Sequence, residues 1–201
     1  SFGRKGYLDF VLEAVALSKK VQAPVKLIWT REDDLNNGPY RPGMLNAVKG
    51  GLDAAGKVVA WEHKIIGASI KHQAFKEDSS TVADDWASET LDQATSPYSI
   101  PNRRQAFILN DTPIPIVWWR SVYSSTNSFA QESFVDEMAH AAGKDPLDFR
   151  LEMVKNEPRW TVLLHLLAEK SDYRNQRKAG KAVGIGIAHS FGSTAAYAVT
   201  V

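Results

Sequence analysis

Two neighbouring stretches restrict the fold most. Leu45–Leu52 and Lys57–Ile66 both have strand period, and in the second Val59, Trp61, His63 and Ile65 alternate with Ala60, Glu62 and Lys64. Only Asp53-Ala54-Ala55-Gly56 joins them. So short a link permits a hairpin and nothing else, because parallel strands need a crossover of roughly a dozen residues or more. Helical period takes over further along. Over Asn127–Ala142, Ala130, Phe134, Met138 and Ala142 form one stripe with Val135 and Ala139 beside it, and Gly143 marks the stop. Asp145-Pro146 then restarts a helix with a capping side chain and proline at the first position, running to about Asn156. Trp160–Lys170 is a third, leucine-rich helix. Strands and helices are segregated, which predicts an α+β fold with mainly antiparallel strands.

The remaining segments fit that frame. Asp9–Val21 has Leu8, Val11, Leu12, Val15 and Ala16 at helical spacing, with Phe10, Ala14 and Leu17 on another face, so a largely buried helix is expected. Val25–Trp29 reads as a strand ending at the charged corner Arg31-Glu32-Asp33-Asp34, and Arg103–Asn110 as another. Residues 71–96 are polar and acidic and predict a long loop with a short helix. A basic loop (Arg174, Arg177, Lys178, Lys181) leads to strands at Ala182–Ala188 and Ala195–Val201. The chain reads as one piece over 1–201, with strands and the hairpin over 25–110, helices over 127–171 and final strands over 182–201. Its Gly/basic opening and strand-like close suggest an excised internal piece.

Composition narrows the function classes. Lys+Arg (24) and Asp+Glu (23) nearly cancel, so the basic surplus that non-specific binding to nucleic acid or anionic membrane requires is missing. Cysteine is absent, which removes disulfides, thiolate metal sites, iron–sulfur ligation and a cysteine nucleophile from these residues. The five histidines form no H-x-x-x-H pair, and His63 and His165 read as structural members of a strand and a helix. Ala188-His189-Ser190-Phe191-Gly192 misses the first glycine of a nucleophile elbow, and strand, not helix, follows. Gly184-Ile185-Gly186 lacks the third glycine of a dinucleotide fingerprint.

Two segments remain as candidates for ligand contact. Phe2-Gly3-Arg4-Lys5-Gly6 leads directly into a helix, where free amides and glycine backbone suit an anion, although a surface turn has the same composition. Trp118-Trp119-Arg120-Ser121-Val122-Tyr123-Ser124-Ser125 sets an arginine between bulky aromatics and small residues just before a helix. Such an arginine serves an anionic ligand or lies on the surface at a strand end.

Taken in order, these segments resemble the large subunit of molybdenum hydroxylases of the xanthine oxidase family. Phe2-Gly3-Arg4-Lys5 is similar to the second half of that family's G-G-x-F-G-x-K loop. Trp29-Thr30-Arg31-Glu32-Asp33 resembles its arginine/acid corner, Gly51–Ala60 its hairpin, and Tyr98-Ser99-Ile100-Pro101-Asn102 its Y-x-I-P-N turn. Trp119–Ser125 stands in place of the family's A-F-R-G-F-G-G-x-Q loop, with Glu132 in the following helix, and Asp145-Pro146 with Arg150 resembles the helix restart. The W-W-R-S-V form, together with Tyr40-Arg41-Pro42, is similar to the large (beta) chain of the isoquinoline 1-oxidoreductase type.

The resemblance implies a partial molybdopterin-binding region that contacts the cofactor through Phe2, Gly3 and Arg120, with Val122 in the substrate pocket. No residue here would coordinate molybdenum directly. The cofactor would be molybdopterin, in its cytosine dinucleotide form, and the partner a small subunit carrying [2Fe-2S] clusters. The implied reaction hydroxylates an electron-poor carbon of an N-heterocycle or aldehyde, with water as oxygen source. Purine-oxidising members have a carboxylate at the position of Gly6 and phenylalanine at that of Val122, so the resemblance argues against purines. The family's glutamate base and a glutamine near the metal are expected outside these residues, so the isolated chain is expected to be inactive. With only one side of the cleft present it should hold no molybdenum, and the uncharged, strand-prone edge Ala195–Val201 should make it self-associate. Compartment stays open between bacterial periplasm and cytoplasm. The other reading is a non-catalytic α+β binding or scaffold module that has lost the cofactor.

Overall fold

A computed structural model describes residues 3–76, 84–92, 96–190 and 192–201. The chain divides into two compact units. One comprises Ser1–Gly43, Gly67–Asp84 and Leu109–Val122; the other comprises Met44–Ile66, Asp85–Ile108 and Tyr123–Val201.

In the first unit, α1 (Arg4–Tyr7) and α2 (Asp9–Val21) are followed by a segment without regular secondary structure and α3 (Arg31–Asn37). A capping box starts α3. The Thr30 side chain accepts from the Asp33 amide while Asp33 accepts from the Thr30 amide. Arg4 stitches these pieces together, paired with Asp9 and Asp34 and stacked 4.0 Å over the Trp29 ring. The helix α4 (Ile70–Phe75) is capped by Ser69, whose hydroxyl accepts from the His72 amide.

Two expectations for this unit require correction. Residues 24–30 have no regular secondary structure and join no sheet, so Val25–Trp29 is not a strand among the described residues. Its β-branched composition favours extended backbone, but a strand also needs a neighbour for its N–H and C=O groups. Nor is α2 buried. None of its described residues is, and Leu12, Val15 and Val21 are all more than half exposed. An open groove of about 720 Å³ runs along Phe10, Val11, Val15, Val25 and Leu27.

The second unit holds β1 (Met44–Leu52), the greater part of β2 (Val58–Gly67) and of β3 (Asn102–Leu109), in the order β1-β2-β3. The hairpin is where the alternation placed it. Gly56 takes φ 70° in its turn, and the Asp53 carboxylate accepts from the amides of Ala55 and Lys57. Helices α5 (Ser124–Ala141), α6 (Pro146–Met153), α7 (Pro158–Lys170) and α8 (Tyr173–Lys178) follow, then the antiparallel pair β4 (Val183–Ser190) and β5 (Ser193–Thr200). The basic loop expected before β4 is thus partly helical. The Asp145 carboxylate caps α6 as its sequence requires, accepting from the amides of Leu147 and Asp148. Trp61, Val135, Ala139, Leu147, Phe149 and Ile187 are among the core residues of this unit. The mixture of helices and mainly antiparallel strands is the α+β class expected.

Helix α5 buries the expected stripe over its second half, where Phe134 and Ala142 pack against the core beside Val135, Met138 and Ala139, and differs over its first half. Val135, Met138 and Ala139 are buried, but so are Ser124, Asn127, Gln131 and Glu132 one to three turns earlier. Asn127 donates to the carbonyls of Ala87 and Glu89, and Glu132 accepts from Tyr98 and Arg150. The first half of this helix therefore packs partly through hydrogen bonds.

Candidate cofactor site

The tryptophan–arginine loop belongs to the first unit, and three segments meet there. Tyr40 pairs with the chain at Ile116: its amide donates to the Pro115 carbonyl at 2.8 Å, and the Val117 amide donates back at 3.0 Å. Trp119 Nε1 donates to the Pro39 carbonyl at 3.1 Å. Gly3 packs so tightly against Trp118 that a Cβ there would overlap the Trp118 carbonyl oxygen. Only glycine permits that approach.

Residues Trp119–Val122 form a turn closed by the Val122 amide donating to the Trp119 carbonyl at 2.8 Å. Its third residue, Ser121, has φ 62°, and Val122 follows at φ 39°. Turns of this shape ordinarily place glycine at the left-handed position. The R-G-F-G loop of the resembling family has glycine at the position of Ser121. Arg120 and Ser121 are exposed, and the Ser121 amide has no acceptor among the described residues. The turn thus presents an exposed arginine and an N–H without an acceptor among the described residues, and both suit an anionic oxygen.

The structure brings Gly3 and the Trp118–Val122 segment into one unit. Phe2 lies outside the described residues. Val122 sits at the end of the turn, half-buried, with its carbonyl held by the Arg41 guanidinium at 2.7 Å. Sequence reasoning gave Arg41 no role. Its signal was present only as an arginine in Tyr40-Arg41-Pro42, and no spacing rule links residues about eighty positions apart. The basic loop behaves differently from expectation at Arg4, whose Nε and Nη1 groups bind Asp9 and Asp34. The start of α2 is served by its own Asp9, which accepts from the Phe10 amide.

The other candidates resolve as structural. His63 is buried, its Nε2 2.7 Å from Asn46 Oδ1, and burial first, then the charge of Arg103, lowers its pKa to about 4. His165 is exposed on α7. Ser190 ends β4, and the chain returns as β5, so no elbow forms. Among the described residues no group of three or more His, Asp or Glu is placed to hold a metal, and no helix is long and apolar enough to cross a membrane.

The model of the molybdopterin cofactor-binding domain matches residues 1–154. This chain belongs to that family. It is 28% identical to the beta subunit of isoquinoline 1-oxidoreductase from Brevundimonas diminuta, over 94% of the chain and 24% of the relative. It is 33% identical to a nicotinate dehydrogenase subunit of Pseudomonas putida, over 86% of the chain and 15% of the relative. Among solved structures, quinoline 2-oxidoreductase from Pseudomonas putida 86 superposes with TM-score 0.64 over 88% of this chain and 25% of its own, at 19% identity. Aldehyde oxidoreductase from Desulfovibrio gigas gives TM-score 0.61 over 79% of the chain and 19% of its own, at 17% identity. These structures share the fold of this molybdopterin-binding chain. The chain spans about a quarter or less of the length of these relatives.

The residues at the turn fit the family's cofactor. Molybdopterin is anionic and rich in hydrogen-bonding groups, and Arg120 and the Ser121 amide are donors of the kind such a group needs.

Proposed function

We propose that this chain forms part of the molybdenum-cofactor cleft of an oxidoreductase that hydroxylates an N-heterocycle or an aldehyde, taking oxygen from water. When bound, the cofactor supplies the two-electron redox chemistry, and the protein supplies binding, orientation and electrostatics. Arg120 and the Ser121 amide bind its anionic oxygens, and Gly3 contributes the backbone that lets the Trp118 end of this segment pack closely beside them. Val122 borders the substrate pocket. The cofactor is the cytosine dinucleotide form, and electrons leave through a small subunit with [2Fe-2S] clusters. The glutamate base is contributed from outside these residues.

The observation that carries this reading is the left-handed turn at Ser121, which supplies an exposed arginine and an unaccepted amide at the position of the family's R-G-F-G loop. The names of the relatives, which include N-heterocycle and aldehyde oxidoreductases, support the substrate classes. The test is metal and pterin analysis of the complete large subunit carrying these residues, produced in a molybdopterin-making host. Stoichiometric molybdenum with a cytosine-containing pterin is expected. A folded protein free of both would leave only a scaffold role.

A further inference from the structure

The turn beside the proposed cofactor has a shape its own residues disfavour. Ser121 at φ 62° and Val122 at φ 39° crowd Cβ against the backbone, most severely at the β-branched valine. Such backbone persists only where its surroundings fix it. Here Pro39–Arg41 does so. Pro39 and Tyr40 bind Trp119 and the 115–117 stretch, as described above. Arg41 then reaches the turn itself: Nη1 donates to the Val122 carbonyl at 2.7 Å, and Nη2 to the Arg120 carbonyl at 2.8 Å. The Ser121 hydroxyl donates to the same Arg120 carbonyl at 2.6 Å.

We infer that Arg41 is a positioning residue of the cofactor site, its guanidinium fork holding the carbonyls of Arg120 and Val122 so that the turn keeps its left-handed shape. The inference rests on the reading that this turn faces the cofactor. The planar fork matters because it supplies two divergent donors in fixed geometry, whereas lysine offers one mobile point charge. There is an electronic consequence as well. The Arg120 carbonyl and the Ser121 N–H belong to one peptide group, so a cation on the oxygen strengthens the N–H as a donor. Arg41 thus both aims the free amide and sharpens it, without touching the ligand. A purely structural arginine would stabilise the unit and leave the ligand unaffected once the protein is folded.

The test uses Arg41→Ala, Arg41→Lys, and Arg41→Ala combined with Ser121→Gly. In the 201-residue chain, the hydrogen-exchange rate of the Val122 amide reports whether the turn is closed. Arg41→Ala should accelerate it about tenfold or more. Adding Ser121→Gly should recover much of that loss, because glycine takes the left-handed position without strain. Arg41→Lys, which keeps the charge and the stem, should fall between and remain measurable if Arg41→Ala does not fold. In the complete large subunit the same ranking should appear in molybdenum content, and in kcat with KM little changed. Unchanged Val122 exchange in both single variants would overturn the clamp. Faster exchange with full molybdenum content and normal kcat would overturn the inference through the reading it rests on, since the turn would then lie away from the cofactor.

Discussion

Arg150 Nε donates to Glu132 Oε2 at 3.0 Å inside the second unit, with the Arg150 side chain wholly buried. The same guanidinium binds Asp136 Oδ1 at 2.5 Å and the Glu132 and Pro146 carbonyls, and Glu132 accepts further from Tyr98 Oη and the Ile187 amide. This pair ties α5 to α6 and β4. Burial raises the pKa of Glu132 from the usual carboxylate value, with Arg150 acting in the opposite direction. Removing one partner strands a buried charge, so Arg150→Met should destabilise the unit by about 3–5 kcal/mol. Arg150→Met with Glu132→Gln should cost clearly less than the two single costs added. Denaturant unfolding of the four proteins checks this, and simple additivity would show that the pair is not coupled.

His63 makes stability depend on pH. Its folded pKa of about 4 lies below the ordinary 6.5, so the contribution of the neutral ring is complete above about pH 6.5 and is lost as pH falls toward 4. The shift corresponds to about 3 kcal/mol. Unfolding midpoints from pH 7.5 to 4 should therefore fall more steeply in the parent than in His63→Gln. Parallel curves would mean the ring is not held neutral by burial.

Gly3 should tolerate no side chain. Gly3→Ala pushes a methyl group into the Trp118 carbonyl, and a backbone neighbour cannot step aside as a flexible side chain can. We expect a loss of about 3 kcal/mol from the first unit, together with a shifted Trp119 indole signal in nuclear magnetic resonance. A variant as stable as the parent, with that signal unmoved, would mean that Gly3 does not touch Trp118 in solution.

Exposed apolar surface predicts self-association of the 201-residue chain. Helix α2 presents Leu12, Val15 and Val21 to solvent, and among the described residues β5 pairs with β4 alone while exposing Tyr197 and Val199. An uncharged strand edge invites a second chain. Analytical ultracentrifugation at micromolar concentration should find dimers or larger species, reduced by Leu12→Glu and by Val199→Lys. Clean monomer in the parent would count against both surfaces.

Local rules carried the sequence reading where elements are stabilised by their own residues. The hairpin over 45–66 was legible because alternation and a Gly-containing turn coincide, and α6 because Asp145-Pro146 encodes both its cap and its first turn. Val25–Trp29 is not the strand its residues suggest, since residue preference speaks for extended backbone but supplies no pairing partner, and the segment joins no sheet among the described residues. The buried polar half of α5 was invisible for a related reason. Asn127 and Gln131 score as solvent-facing until the carbonyls and side chains they bind are known. At the candidate site the motifs name Gly3 and Arg120, and both lie in the first unit. The strain at Ser121 and Val122, and its remedy in Arg41, are properties of contacts between distant segments and had no local signature.

The most direct measurement of the central claim is kcat of Arg120→Ala in the complete large subunit, read alongside molybdenum content and melting temperature. With full metal and normal stability, kcat at saturating substrate should fall about 10- to 1000-fold, roughly 1.4–4 kcal/mol of lost positioning and electrostatic support. Loss of metal together with activity would place Arg120 in cofactor retention, still at the site. Unchanged turnover in a fully loaded, normally stable variant would contradict the account, because Arg120 would then be a surface arginine and the turn that carries it no part of the cleft.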